Sequence, residues 1–154
     1  METTTATDRI EKTVIIKASR SRVWRAIADA RQFGEWFRVN LDGDFTAGAT
    51  TYGKITYPGY EHLTMEMVVE RIEPERLFSY RWHPAGVDPK ADYSAEPMTL
   101  VEFILEDVNG GTRLTIVESG FDKIPLARRA DAFRMNEGGW TEQIQNIEHY
   151  VTKS

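Results

Sequence analysis

Glu118 is the residue in this sequence whose surroundings most suggest chemistry. It alternates with Leu114 and Ile116, so a strand over this segment puts its carboxylate on the same face as two apolar side chains. A carboxylate among apolar groups is costly unless it is paired, and its pKa is expected to rise. Such a group suits a general acid or base, or an acceptor for a ligand hydroxyl. The alternatives are partial hydration at the strand end, or pairing with Arg128 or Arg129.

The histidines and short motifs do not indicate a metal centre or a nucleophile. His62, His83 and His149 fall on different predicted elements, and no pair has the His-x-x-x-His spacing of a zinc site. The sequence has no Gly-x-Ser-x-Gly motif and no glycine-rich loop followed by Gly-Lys-Ser/Thr. Asn136 and Glu137 on the last helix could face a pocket, but a solvated helix face is the favoured interpretation. We therefore predict no metal, no cofactor and no catalytic residue.

Hydrophobic periodicity predicts a strand, two short helices, a β-rich stretch and one long helix. The first strand covers 9–17, Ser19 caps a helix that ends near Asp29, and a second helical turn covers 31–37. Further strands are predicted over 50–57, 62–72, 76–83, 98–108 and 112–121. The proline-rich segment 84–97 is predicted to be a loop.

The last two predicted strands form a hairpin around 109–111, the sequence Asn-Gly-Gly. Alternation puts two sets of three residues on its buried face: Val101, Phe103 and Leu105 opposite Leu114, Ile116 and Glu118.

The final helix is predicted over about 125–150. Phe133, Trp140, Ile144, Ile147 and Val151 recur along one side of it, and Gly138-Gly139 are expected to interrupt or kink it.

These elements predict an α+β fold. A curved antiparallel sheet of about six to seven strands grips the long C-terminal helix, with two short helices after the first strand. We expect residues 1–154 to form a single domain, with 1–8 flexible. Where side chains of a curved sheet and its helix do not meet, a cavity is left for a ligand.

Large aromatic and methionine side chains are the candidates for the wall of that cavity. Methionines adapt to irregular apolar shapes, although residues of these types also simply fill cores. The predicted ligand-binding residues are Trp36, Phe37, Tyr57, Met65, Met67, Trp82, Phe103, Glu118, Phe133 and Trp140.

Composition excludes several classes of protein. The chain of 154 residues has no cysteine, which excludes disulfides, thiolate nucleophiles and cysteine-ligated clusters. A net charge of -5 disfavours both nucleic acid and an anionic membrane surface as partners. No apolar stretch approaches the roughly 20 residues of a membrane span. A cytoplasmic location is expected.

Four segments resemble the START/Bet v-type helix-grip superfamily, in particular its branch related to the activator of heat-shock protein 90 ATPase. They are Ser-Arg-Val-Trp-Arg-Ala-Ile at 21–27, Phe-Gly-Glu-Trp-Phe at 33–37, Glu-Ser-Gly-Phe at 118–121 and Asn-Glu-Gly-Gly-Trp-Thr-Glu-Gln-Ile at 136–144. The resemblance implies a cavity between the sheet and the C-terminal helix.

Three functions remain open at this point. The first is a non-catalytic domain that binds a small hydrophobic or aromatic molecule. The second, which the resemblance implies, is a module that binds a heat-shock protein 90 chaperone. The third is an enzyme of the cyclase or hydrolase kind that uses Glu118 with a polar partner such as His83 or Tyr57.

Overall fold

A seven-stranded antiparallel sheet is the framework of the protein. The computed structural model describes residues 8–84, 93 and 95–153, so most of the predicted flexible segment 1–8 lies outside the described residues. The strands are β1 (Arg9–Ile16), β2 (Val39–Leu41), β3 (Thr50–Ile55), β4 (Thr64–Glu73), β5 (Leu77–Trp82), β6 (Thr99–Val108) and β7 (Gly111–Ser119). The predicted α+β class is confirmed.

The strand order explains where the short helices lie. Across the sheet it is β1-β7-β6-β5-β4-β3-β2, which places β1 and β2 at opposite edges. The chain between these two strands forms α1 (Arg20–Ala28) and α2 (Ala30–Phe37), which therefore carry it from one edge to the other. A register shift between Val69 and Arg71 marks a bulge in β4 that adds local bend to the sheet.

Side-chain caps fix the beginnings of both short helices. Ser19 Oγ accepts a hydrogen bond from the backbone N–H of Arg22, which confirms the predicted N-cap. Asp29 Oδ1 caps α2 by accepting from two backbone N–H groups. A Cβ at Gly34 would lie 2.3 Å from the carbonyl oxygen of Val39, so this helical glycine permits a close approach of the following chain.

The predicted hairpin forms with the predicted faces. In the β6–β7 register Val101 pairs with Glu118, Phe103 with Ile116 and Leu105 with Leu114, and all six side chains are buried. The turn needs positive φ only at Gly110.

The long helix α3 (Leu126–Lys153) covers the buried face of the sheet. Its buried residues Ala132, Trp140, Ile144, Ile147 and Val151 recur with helical spacing, which confirms most of the predicted stripe. The helix continues through Gly138 and Gly139, so the predicted interruption is wrong.

Two short elements were missed. The strand β2 has only three residues, too few to show an alternating pattern. The predicted end of β7 at Phe121 is instead a 3₁₀ turn, Phe121–Lys123, which begins after Gly120.

Candidate functional site

A pocket of about 610 Å³ lies between α3 and the part of the sheet formed by β3, β4 and β5. The sheet side contributes Ile55, Met65 and Trp82, and α2 contributes its last residue, Phe37. The residues of α3 that line it are spaced along one helical face, and they include Met135, Asn136, Gly139, Trp140 and Gln143. The wall is therefore mainly aromatic and apolar, with a few amide and carboxylate groups.

The pocket is open to solvent, and we call three exposed residues of its lining, Tyr57, Tyr60 and Met135, the mouth. These three pocket residues are 44%, 40% and 43% exposed. The two tyrosine rings lie 5.9 Å apart in the connection between β3 and β4. That connection is a local turn, because Tyr60 N–H donates to the Tyr57 carbonyl and Leu63 N–H to the Tyr60 carbonyl.

Behind the pocket wall lies Glu118, which does not line the pocket and is 0% exposed. Four side chains donate hydrogen bonds to its carboxylate. Trp82 Nε1 and Thr99 Oγ1 donate to Oε2 at 2.8 and 2.5 Å. Trp140 Nε1 donates to Oε1 at 2.7 Å, and Asn136 Nδ2 lies 2.9 and 3.1 Å from the two oxygens. The carboxylate thus joins β5, β6, β7 and α3.

These four donors fit an ionised carboxylate. Two carboxylate oxygens offer about four lone-pair positions, and both indoles and the amide nitrogen can only donate. Burial raises the pKa of Glu118, whereas the hydrogen bonds from Thr99, Trp82, Trp140 and Asn136 act in the opposite direction and lower it. The donors therefore offset part of the desolvation cost of a buried charge.

The alternative pairing of Glu118 with an arginine is wrong. Arg128 instead forms a salt bridge with Glu96 at 2.7 Å. Arg129 donates to the backbone carbonyls of Ile124 and Asp122. In the described ranges, no salt bridge involves Glu118, and its partners are neutral donors.

Three residues line the pocket and also donate a hydrogen bond to Glu118. They are Trp82, Asn136 and Trp140, and we call them the floor. The two indole rings lie 5.8 Å apart at an angle of 32°. Phe103 supports Trp140 from the core with an edge-on contact at 5.8 Å. Because Glu118 lies behind the floor and its acceptor positions are filled, its role in this geometry is to hold the floor in place.

The structure divides the predicted ligand-binding residues into two groups. Five line the pocket: Phe37, Tyr57, Met65, Trp82 and Trp140. The other five, Trp36, Met67, Phe103, Glu118 and Phe133, do not line it.

Glu118 lies behind the floor, and the other four pack in the core or against a neighbouring ring. Trp36 donates its N–H to the carbonyl of Ala26, inside the core. Met67 and Phe103 are fully buried between sheet and helices. Phe133 packs against Phe121, with ring centroids 5.2 Å apart.

Thr99 and Asn136 are hydrogen-bond partners of Glu118 that the sequence analysis did not identify. For Asn136 a solvated helix face is favoured over a place at the pocket, and Thr99 carries no pattern that singles it out. The signal that points to them is chemical: a buried carboxylate requires several donors, and a buried tryptophan requires an acceptor for its N–H. The donors lie 18 to 36 residues from Glu118 in the sequence, so no local pattern shows that they pair with it.

Two further buried polar atoms lie near the site. The hydroxyl of Tyr80 and Nδ1 of His83 have no hydrogen-bond partner in the part of the chain that the structure describes. Burial raises the pKa of Tyr80 well above its ordinary value, and the charge of Glu118 adds to this effect. Tyr80 therefore stays protonated and packs as a large core side chain, with its ring 5.3 Å from that of Trp82.

Among residues 8–84, 93 and 95–153, no group of three histidine or acidic side chains lies close enough together to hold a metal ion. Within the same residues, no helix has the length and apolar character needed to cross a membrane.

A curved antiparallel sheet closed by a long C-terminal helix, with a pocket between them, defines the helix-grip class of α+β domains. The sequence profile of one family of this class, described as Activator of Hsp90 ATPase homolog 1-like protein, matches residues 17–152. The chain belongs to this family, as the sequence resemblance predicted. A search among curated proteins finds no match.

Solved structures share the fold at low sequence identity. Protein MLL2253 from Mesorhizobium loti is 21% identical with a TM-score of 0.75, over 95% of this chain and 98% of that one. The Aha1 protein from Colwellia psychrerythraea, solved as a dimer, is 17% identical with a TM-score of 0.70, over 93% and 95%. DynU16, from the dynemicin biosynthetic locus, is 23% identical with a TM-score of 0.72, but this chain spans only 47% of its length.

Proposed function

We propose that this protein binds a small apolar or aromatic molecule in the pocket between the sheet and α3. The observation that carries the proposal is an aromatic pocket whose floor is fixed from behind by a fully buried, four-donor carboxylate. A volume of about 610 Å³ suits a small organic ligand. Fixed indole rings reduce the ordering cost of binding, because the wall is already in place before the ligand arrives.

Gly139 gives this proposal a sharp test. It lines the pocket, and a Cβ built there meets nothing within 4 Å, so a side chain added at this position enters the open space. Gly138 also has nothing within 4 Å of its Cβ, but it does not line the pocket. Leucine at either position raises helix propensity by a similar amount.

The experiment compares Gly139→Leu with Gly138→Leu in titrations with naphthalene, and examines each freshly purified protein by native mass spectrometry. We expect the Gly138→Leu protein to bind like the unaltered chain and the Gly139→Leu protein to lose binding at least tenfold. Equal binding by both variants would place the ligand elsewhere. No binding of naphthalene by the unaltered chain, together with no copurified small molecule, would refute the proposal.

Binding to a heat-shock protein 90 chaperone is the second candidate, and the family match supports it. It predicts that the purified chain binds the chaperone and changes its ATPase rate. Unchanged ATPase activity, together with no measurable complex, would remove this candidate while leaving ligand binding open.

The third hypothesis, an enzyme that uses Glu118, is not proposed. His83 and Tyr57 line the pocket, whereas the carboxylate lies behind the floor with its lone pairs occupied. A general acid or base must come within hydrogen-bond reach of the proton it transfers.

A further inference from the structure

The hydrogen bonds to Glu118 determine which polar groups the floor offers to a ligand. The N–H groups of Trp82 and Trp140 are both donated to the carboxylate, so these residues present ring surfaces to the pocket. An indole has one N–H donor and no second polar atom. The indoles of the floor therefore have no donor left for a ligand.

Asn136 is oriented by the same carboxylate. Only its Nδ2 can donate, and this atom lies 2.9 and 3.1 Å from the two oxygens of Glu118. The planar amide then directs Oδ1 away from Glu118. Oδ1 accepts no hydrogen bond from the described part of the chain, and it is not buried, so it remains accessible. The floor therefore offers one acceptor, and a negative charge lies behind it.

The charged side chains that line the pocket act in the same direction. Within the described residues, the lining includes Glu66 and Glu142 but no lysine or arginine. Two arginines lie outside the lining but stack on its tyrosines: Arg38 lies over Tyr57, and Arg128, which is paired with Glu96, lies over Tyr93. A ligand carboxylate at the floor would approach the buried charge of Glu118 in a poorly solvated region, where repulsion is strong.

Building on the proposed function, we propose that the floor selects the polar end of the ligand. It takes a neutral hydrogen-bond donor, such as a phenolic hydroxyl, on Asn136 Oδ1, and it rejects a carboxylate. The ligand class is thus an apolar or aromatic molecule that carries a hydroxyl or N–H group, and not a fatty or aromatic acid.

Three probes with the same ring system test this inference: naphthol, its methyl ether and naphthoate. The ether keeps the oxygen but cannot donate. Because naphthol can form one more hydrogen bond, to Asn136 Oδ1, we expect it to bind about three- to tenfold more tightly than the ether. We expect naphthoate to bind at least tenfold more weakly than naphthol.

Variants of two pocket amides locate the effect. Asn136→Leu removes the acceptor and should abolish the preference for naphthol over its ether. Gln143→Leu is the matched control, since Gln143 lines the pocket on the same helix but its carbonyl already accepts from Asn146. This control should keep the preference.

The outcomes separate the inference from the proposed function. Equal binding of naphthol and its ether, or tightest binding of naphthoate, would overturn the inference while ligand binding stands. A preference that survives Asn136→Leu would overturn the assignment to Asn136. Binding of none of the probes would overturn both proposals. If the Asn136→Leu protein does not fold, the probe series on the unaltered chain still decides the ligand class.

Discussion

The floor and the mouth of the pocket are built in opposite ways. Behind the floor, the three floor residues and Thr99, from three different elements, converge on the buried carboxylate of a fourth. At the mouth, Tyr57 and Tyr60 are held by backbone hydrogen bonds within one short turn, and much of each ring is exposed. Hydrogen bonds to a buried charge are worth more than those in water. The comparison indicates that the network behind the floor stabilises the fold, whereas the two tyrosines of the mouth depend on contacts within one local turn.

The same substitution behind the floor and at an exposed residue of the pocket lining should have very different effects. Glu118→Gln replaces two acceptor oxygens by one and turns an NH2 group toward buried donors. We expect a loss of about 3 kcal/mol in the free energy of unfolding, since each unsatisfied buried group costs about 1–3 kcal/mol. Glu142→Gln, at the exposed edge of the pocket, should change it by less than about 0.5 kcal/mol. Urea unfolding of both variants checks this, and similar small losses in both would contradict the contrast.

Thr99→Val tests a single donor of the network with almost no change in shape. Thr99 is fully buried, and its hydroxyl donates to Glu118 at 2.5 Å. A hydrogen bond to a charged group contributes about 1.5–3 kcal/mol, so the variant should lose about 2 kcal/mol. Thermal unfolding measures the loss, and a variant as stable as the unaltered chain would show that the other three donors suffice.

The pH dependence of stability sharpens the description of Glu118. Burial raises its pKa in the folded protein above the ordinary value of 4.5. Between that value and the folded pKa, the folded state binds more protons than the unfolded state, so this contribution to stability falls as the pH rises. The contribution of Glu118 to stability is fully present below its pKa in the unfolded chain and is lost above its pKa in the folded protein. We expect the stability difference between the unaltered chain and Glu118→Gln to decrease across this window, and a difference that increases with pH would show that the donors outweigh burial.

At the mouth, Tyr57→Ala should affect binding more than folding. The residue is 44% exposed, so removal of its ring should cost less than about 1 kcal/mol of stability. Loss of its ring from the pocket should weaken naphthalene binding severalfold. Paired denaturation and titration experiments measure the two quantities, and the reverse pattern would mean that the mouth is structural.

The sequence alone predicted the fold well because the fold depends on periodicity and caps. The alternation of β6 and β7 predicted which face Glu118 occupies, and Ser19 predicted the start of α1. The three-residue β2 was missed because it is held by tertiary pairing with β3 rather than by a local pattern.

The site was less predictable because it depends on distances between elements. Alternation cannot show that Trp82, Thr99 and Asn136 meet at one carboxylate, since they lie on β5, β6 and α3. For the same reason, residue type alone does not show which aromatic residues line the pocket and which fill the core. Trp82 and Trp140 line the pocket, whereas Trp36 lies in the core.

The most direct test of the central claim uses the four tryptophans as reporters. Trp82 and Trp140 form the floor, whereas Trp24 and Trp36 do not line the pocket. Titration with naphthol, followed through the four indole N–H signals in ¹⁵N-correlated NMR spectra, is predicted to shift the signals of Trp82 and Trp140. The signals of Trp24 and Trp36 should stay in place. Shifts confined to Trp24 or Trp36, or no shift at saturating naphthol, would contradict a binding site at this floor.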